Sequence, residues 1–253
     1  MKLNLRQKVY QSPGYSADMH LSPGELEIFR SEITSQWLSV IAELHPELLS
    51  QFREVGIENY HKLSKLVQHE KLWPKGNRCL PLKSCKKIRT LPFFKALRQE
   101  FGDFKLADVF YEDNHQLGRE EIYWRLVRPD MEKDVGPLHA DKWFHELTGQ
   151  TNRIFPRGSV TVKVWIPIFS VSGKSGLLIV PNSHLKSWRY HGEQGRGGIK
   201  PIIDEDVDTI GAELIPTRPG NILIFGEGTL HGGAVNRGRQ TRVSAEFTMV
   251  FAS

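Results

Sequence analysis

The chain is predicted to be mainly β with a helical N-terminal region, built as a double-stranded β-helix (a jelly-roll or cupin-like barrel) with flanking helices. Three observations carry this. Apolar residues recur at helical spacing through the first hundred residues, and that period ends at Gly102. Short alternating segments then follow over about 150 residues with no long helix between them, the pattern of an antiparallel β architecture. Two facing sheets of such strands enclose a ligand cavity, and polar residues suited to line one recur in these strands. No internal repeat or second β domain is visible. Residues 1–253 therefore read as one domain, with 1–102 mostly helical and 103–253 forming the barrel.

The elements follow in order. Residues 1–20 show no clear period and read as an arm. Ser22-Pro23-Gly24-Glu25 starts a helix: Ser22 caps, Pro23 suits the first helical position and Glu25 completes a capping box. Leu26, Phe29, Ile33, Trp37, Val40 and Ile41 then form a core stripe. The helical pattern continues over 46–71, broken at Gly56, and His45, His61 and His69 there read as surface or capping residues. Residues 72–87 are rich in turn formers, and a further helix is expected over 88–100, ending at Gly102. Strands are expected over 104–111 and 121–128, a loop over 146–157, and the clearest strand over 159–168. In that strand Val160, Val162, Val164, Ile166 and Ile168 share one face, while Ser159, Thr161, Lys163 and Trp165 must meet water or a cavity. Strands at 176–180, 210–215, 221–225 and 242–251 follow, with a long Gly-rich basic loop over 185–200.

Composition bounds the function. With 39% hydrophobic and 25% charged residues, 253 residues suit a soluble globular protein. No apolar run is long enough for a bilayer, and the N-terminus lacks the apolar core of a secretory signal. Cys79 and Cys85 make no disulfide framework; a reduced, cytoplasmic protein is the simpler reading. The net charge of +5 mildly favours anionic ligands, but no Lys/Arg tract argues for nucleic acid.

Gly136-Pro137-Leu138-His139-Ala140-Asp141 carries the chemistry. In extended chain, residues two apart share a face, so His139 and Asp141 would aim a nitrogen and a carboxylate at one point. A second histidine would complete the two-histidine, one-carboxylate triad that binds non-heme iron(II) and leaves positions open. His231, set among glycines that permit close approach, is that candidate. Arg242 and Ser244 share a strand face with Glu246 and Thr248. A buried guanidinium needs a partner: either a structural acid such as Glu246, or the far carboxylate of a dicarboxylate held through paired hydrogen bonds.

His139-Ala140-Asp141, Trp165, Ser175-Gly176-Leu177-Leu178-Ile179-Val180-Pro181-Asn182-Ser183-His184, His231 and Arg242, in this order and spacing, resemble the phytanoyl-CoA dioxygenase-like branch of the iron(II)/2-oxoglutarate oxygenases. The resemblance covers roughly 104–251. Asn182 stands where the family carries Gly, a mild departure, since Asn tolerates left-handed backbone. The resemblance implies His139, Asp141 and His231 as iron ligands, Arg242 and Ser244 as the seat of the distal carboxylate of 2-oxoglutarate, and Trp165 as a wall of that pocket. Either Tyr123 or Arg125, on the non-apolar face of a neighbouring strand, is expected to reach cosubstrate or substrate; a surface ion pair is the alternative. Asp141 fills the position that halogenating relatives leave for halide. The implied reaction with O2 is therefore hydroxylation of a small molecule through an iron(IV)-oxo species, or another oxidation by it.

Competing assignments follow from the same residues. His145 is a less natural ligand than Asp141, His184 is expected to fix a loop, and His191, with Trp188, Arg189 and Tyr190, to meet substrate. Lys83, Lys86, Arg189 and Arg196 hint at an anionic substrate group. A non-oxidative or non-catalytic cupin-like metal protein would keep the triad but would not need Arg242 and Ser244. Nucleic-acid demethylases of the superfamily carry a second arginine where this chain has Thr248, which argues against that class.

Overall fold

A computed structural model describes residues 4–107, 121–148, 158–195 and 198–251. Its helices are Leu5–Tyr10 (α1), Pro23–Leu44 (α2), Leu49–Val55 (α3), His69–Leu72 (α4), Leu82–Arg89 (α5), Pro92–Phe101 (α6) and Asp141–Thr148 (α7). Its strands are Tyr15–His20 (β1), Lys105–Leu106 (β2), Tyr123–Val127 (β3), Val160–Phe169 (β4), Leu177–Ile179 (β5), Tyr190–Gly195 (β6), Gly198–Ile203 (β7), Glu213–Leu214 (β8), Asn221–Gly226 (β9), His231–Gly233 (β10) and Arg242–Phe251 (β11). The main sheet runs β1-β9-β4-β11, with β2 and β3 both pairing β11. The second sheet is β10-β5-β8, and β6-β7 form a separate hairpin. All pairings between strands are antiparallel, and the two sheets make the jelly roll.

The expected capping box is present: Ser22 Oγ accepts from Glu25 N, and Glu25 accepts from Ser22 N at 2.8 Å. Glu25 also accepts from Phe93 N at 2.8 Å, pinning α6 to the start of α2. The stripe Phe29, Ile33, Trp37 and Ile41 is fully buried. It packs in the main core with the outer face of the sheet, where Val162, Val164, Ile166, Val243, Ala245 and Phe247 lie. Phe94 stacks on Phe247 at 5.2 Å. The opposite face of the same strands points inward, and Trp165, Leu223 and Phe225 meet Leu177, Ile179 and Ile215 there. Alternation thus gives β4 and β11 one face for the helices and one for the cavity.

Several expectations need correction. The arm contains α1 and β1, and β1 is an edge strand on β9; its sequence, Tyr-Ser-Ala-Asp-Met-His, has too little apolar alternation to announce it. The helix expected over 88–100 is two helices, because Pro92 starts α6 at a position where it needs no N–H. The start of the loop expected over 146–157 is the end of α7, and 149–157 lie outside the described residues, as do 108–111 of the strand expected over 104–111. The long loop over 185–200 contains most of the β6-β7 hairpin; β6 is polar and largely exposed, and the buried residues of β7, Pro201 and Ile203, lie beyond that span. Among the described residues no helix is long and apolar enough to cross a membrane.

Phe247 joins the sheet to the helical layer through its stack on Phe94. Phe247→Ala should cost about 3–5 kcal/mol of unfolding free energy, read from the urea midpoint; a loss below about 1 kcal/mol would contradict this packing.

Candidate metal centre

His139 and His231 come from distant segments that a two-way backbone bridge joins: His139 N donates to His231 O at 3.0 Å, and His231 N to His139 O at 2.9 Å. Glycine at 232 permits this approach, since a Cβ there would lie 3.2 Å from Pro137 O and 3.3 Å from Leu138 Cα. Asp141 is not on a continuous strand with His139; it is the first residue of α7. The chain turns from bridge to helix at Ala140, and this turn, not strand alternation, brings the two side chains together.

Asp141 Oδ1 lies 3.7 Å from Nε2 of His139 and 3.7 Å from Nε2 of His231. The candidate ligand atoms of the three residues all fall within 4.8 Å of one another, a set that could hold a metal ion. The Nδ1 atoms face carbonyls, His139 toward Pro137 O at 2.8 Å and His231 toward Thr229 O at 3.0 Å. A carbonyl only accepts, so Nδ1 carries the proton and the Nε2 lone pair is turned to the centre. Burial, then the neighbouring His139, pushes His231 down to about 4, which keeps it a neutral donor at neutral pH. Burial opposes the charge of Asp141, but Lys163 and the two histidines outweigh it and hold the carboxyl well below its usual range.

Arg242 and Ser244 are buried on the inward face of β11. Arg242 Nη1 donates to Gly176 O, and its guanidinium carbon lies 5.9 Å from the Trp165 ring centroid. Among the described residues no acid pairs with it. Glu246, the acid expected as a structural partner, accepts instead from Arg125 Nε at 2.5 Å, and Arg125 Nη2 donates to Tyr123 Oη at 3.1 Å. Burial resists ionisation of Glu246, yet Arg125 and then Lys163 bring it down to about 2. Burial, then repulsion from Arg125, lowers Arg242 to about 10. Arg242 Nε, Ser244 Oγ, Ser175 Oγ and Thr217 Oγ1 are all buried without a hydrogen-bond partner. Buried polar groups are normally paired, and an anionic ligand would satisfy Arg242 Nε and Ser244 Oγ, which share one face of β11.

Lys163, which the sequence does not mark as a functional residue, lies on the inward face of β4 with its Nζ 3.2 Å from Asp141 Oδ2. The available signal was its place two residues before Trp165 on the same face. Of the other histidines, His145 lies on α7 outside the converging set. The His184 ring packs so tightly on Gly14 that no Cβ would fit there, fixing the loop against the N-terminal segment. His191 sits on the hairpin facing Asp204 at 2.6 Å. Trp143 stacks on Tyr190 at 4.4 Å, joining α7 to that hairpin. Asn182 adopts the left-handed backbone its position requires, with φ 61°. Arg189 faces Glu205 at 3.5 Å, Lys83 and Lys86 are exposed on α5, and Arg196 lies outside the described residues.

Fold and site together define a jelly-roll oxygenase with a two-histidine, one-carboxylate centre. Residues 95–244 match the family model "Phytanoyl-CoA dioxygenase (PhyH)". The chain belongs to the phytanoyl-CoA dioxygenase family. A search of curated proteins by sequence found no match. Similar solved structures include the apo form of ThoJ, a non-heme monooxygenase (TM-score 0.60, 13% identity, 98% of this chain and 77% of that one). EctD from S. alaskensis, solved with 2-oxoglutarate and 5-hydroxyectoine, has TM-score 0.57 and 13% identity over 98% of this chain and 76% of its own. The epimerase SnoN, in complex with Fe3+, alpha ketoglutarate and nogalamycin RO, has TM-score 0.54 and 15% identity over 98% and 82%.

Arg125→Met removes the cation that pairs with the buried Glu246 and, with the Arg125 side chain 43% exposed, should cost about 1–2 kcal/mol of stability at neutral pH. The depressed pKa of Glu246 sets the sign: its contribution is present above about 4.5 and is lost as pH falls toward about 2. The double variant Arg125→Met/Glu246→Gln should recover most of the loss in urea unfolding. A single variant as stable as the parent would contradict the pairing.

Proposed function

We propose that this protein is an iron(II)- and 2-oxoglutarate-dependent dioxygenase that hydroxylates a C–H bond of a small-molecule metabolite. The carrying observation is the buried guanidinium of Arg242, which has no acid partner among the described residues and shares the inward face of β11 with the unpartnered Ser244 hydroxyl. A metal site alone would not need it. A ligand with a carboxylate at its far end would satisfy both groups through charge-assisted hydrogen bonds.

His139, Asp141 and His231 would hold the iron, each through an atom already turned to the common point. When bound there, iron, 2-oxoglutarate and O2 supply the oxidising power for C–H hydroxylation. The protein's own part is positional. The carbonyls of Pro137 and Thr229 fix the histidine rings. Arg242 and Ser244 orient the cosubstrate from its distal end, and Trp165 walls that pocket beside the guanidinium. Arg125, by engaging Glu246 and the Tyr123 hydroxyl, keeps Glu246 from Arg242 and leaves that guanidinium available for the ligand. Membership of the family and the likeness to EctD support the hydroxylase reading. An anionic group on the substrate fits the net charge of +5.

Anaerobic addition of iron(II) and 2-oxoglutarate should give a metal-to-ligand absorption in the visible region. A folded, metal-loaded protein without it would overturn the proposal. Arg242→Ala should weaken 2-oxoglutarate binding by about 30-fold or more while metal stays bound; unchanged cosubstrate affinity would remove Arg242 from this role. His139→Ala should lose the metal, and full metal affinity in that variant would reject the triad.

A further inference from the structure

The two oxygens of Asp141 face different cations. Oδ1 is turned to the histidine nitrogens, 3.7 Å from each, while Oδ2 lies 3.2 Å from Lys163 Nζ. Lys163 sits on β4 opposite Phe225 and Thr248, with its side chain 12% exposed and turned into the barrel. Other acids in its surroundings are engaged elsewhere: Glu246 by Arg125 at 2.5 Å and Glu121 by Lys75 at 2.7 Å. Asp141 is therefore the one acid in ion-pair contact with Lys163 among the described residues. Its single negative charge serves a buried ammonium and also faces the place of a dication.

Resting on the metal centre proposed above, we propose that Lys163 opposes the metal at Asp141 and so makes tight metal retention depend on the arrival of the dianionic cosubstrate. A dication and an ammonium against one carboxylate leave the centre with a positive excess. Like charges a few ångströms apart in a partly buried site repel strongly, because little water screens them. The carboxylate at the chelating end of 2-oxoglutarate brings compensating negative charge to the centre, while the distal carboxylate is taken by Arg242. By thermodynamic linkage, whatever makes the cosubstrate tighten metal binding makes the metal tighten cosubstrate binding equally. Lys163 therefore adds a charge-based coupling to the one that chelation provides.

Calorimetric titration of Ni(II) into the metal-free full-length protein, with and without 2-oxoglutarate, tests this. Lys163→Met keeps the length of the side chain and removes its charge. Without cosubstrate it should bind Ni(II) about tenfold more tightly than the parent, and the gain in affinity on adding 2-oxoglutarate should shrink by a similar factor. Lys163→Arg should behave as the parent. Lys163→Gln, a neutral donor, should follow Lys163→Met. A misfolded variant does not gain metal affinity, so the predicted direction separates this role from a purely structural one. Equal or weaker Ni(II) binding by Lys163→Met overturns the proposal, and so does Lys163→Gln tracking Lys163→Arg. A parent protein that binds no Ni(II) sinks the metal centre itself. A parent that binds it, with His139→Ala losing it and Lys163→Met unchanged, sinks only the role of Lys163.

Discussion

Arg242 is a buried guanidinium that no acid among the described residues neutralises, and the charge pattern of the barrel interior turns on that constraint. Leaving such a charge unpaired is costly, so its persistence needs a cause. The nearby acid that could cancel it, Glu246, stands on the same face of the same strand but is taken by Arg125 from β3. Arg242 keeps a carbonyl contact to Gly176 and a place beside Trp165, and its Nε is left for a ligand.

The same economy of charge operates at the other end of the cavity. Asp141 carries the negative charge of the triad, and Lys163 holds one of its two oxygens. The inward faces of β3, β4 and β11 thus carry three cations, Arg125, Lys163 and Arg242, against two anions, Glu246 and, from α7, Asp141. The outward faces of the same strands are apolar and packed against α2 and α6. One strand pattern therefore supplies both the stability of the fold and the electrostatics of the site.

Much of this is legible in the sequence, for a physical reason. Strand alternation has a period of two, so Arg242, Ser244 and Glu246 are assigned to one face without any structure, and the valines of β4 to the other. The capping box at Ser22 and Glu25 is equally local. What the sequence does not show is non-local. Nothing in Lys163 says that β4 brings it to the first residue of α7, or that Glu246 is claimed by a neighbouring strand. The start of α7 at Asp141 is hidden because the ligand pair reads equally well in extended chain. β1 and β6 pair through their backbones with β9 and β7, and their own side chains carry no buried stripe to reveal them.

The central claim is that Arg242 waits for the far carboxylate of a chelating ligand. Its most direct test compares 2-oxoglutarate with 2-oxobutyrate, which keeps the chelating end and lacks the distal carboxylate, in binding to the Ni(II)-loaded protein by calorimetry. The account predicts that 2-oxobutyrate binds at least about 30-fold more weakly, with that difference abolished in Arg242→Ala. Equal affinity for the two ligands in the parent protein would contradict it.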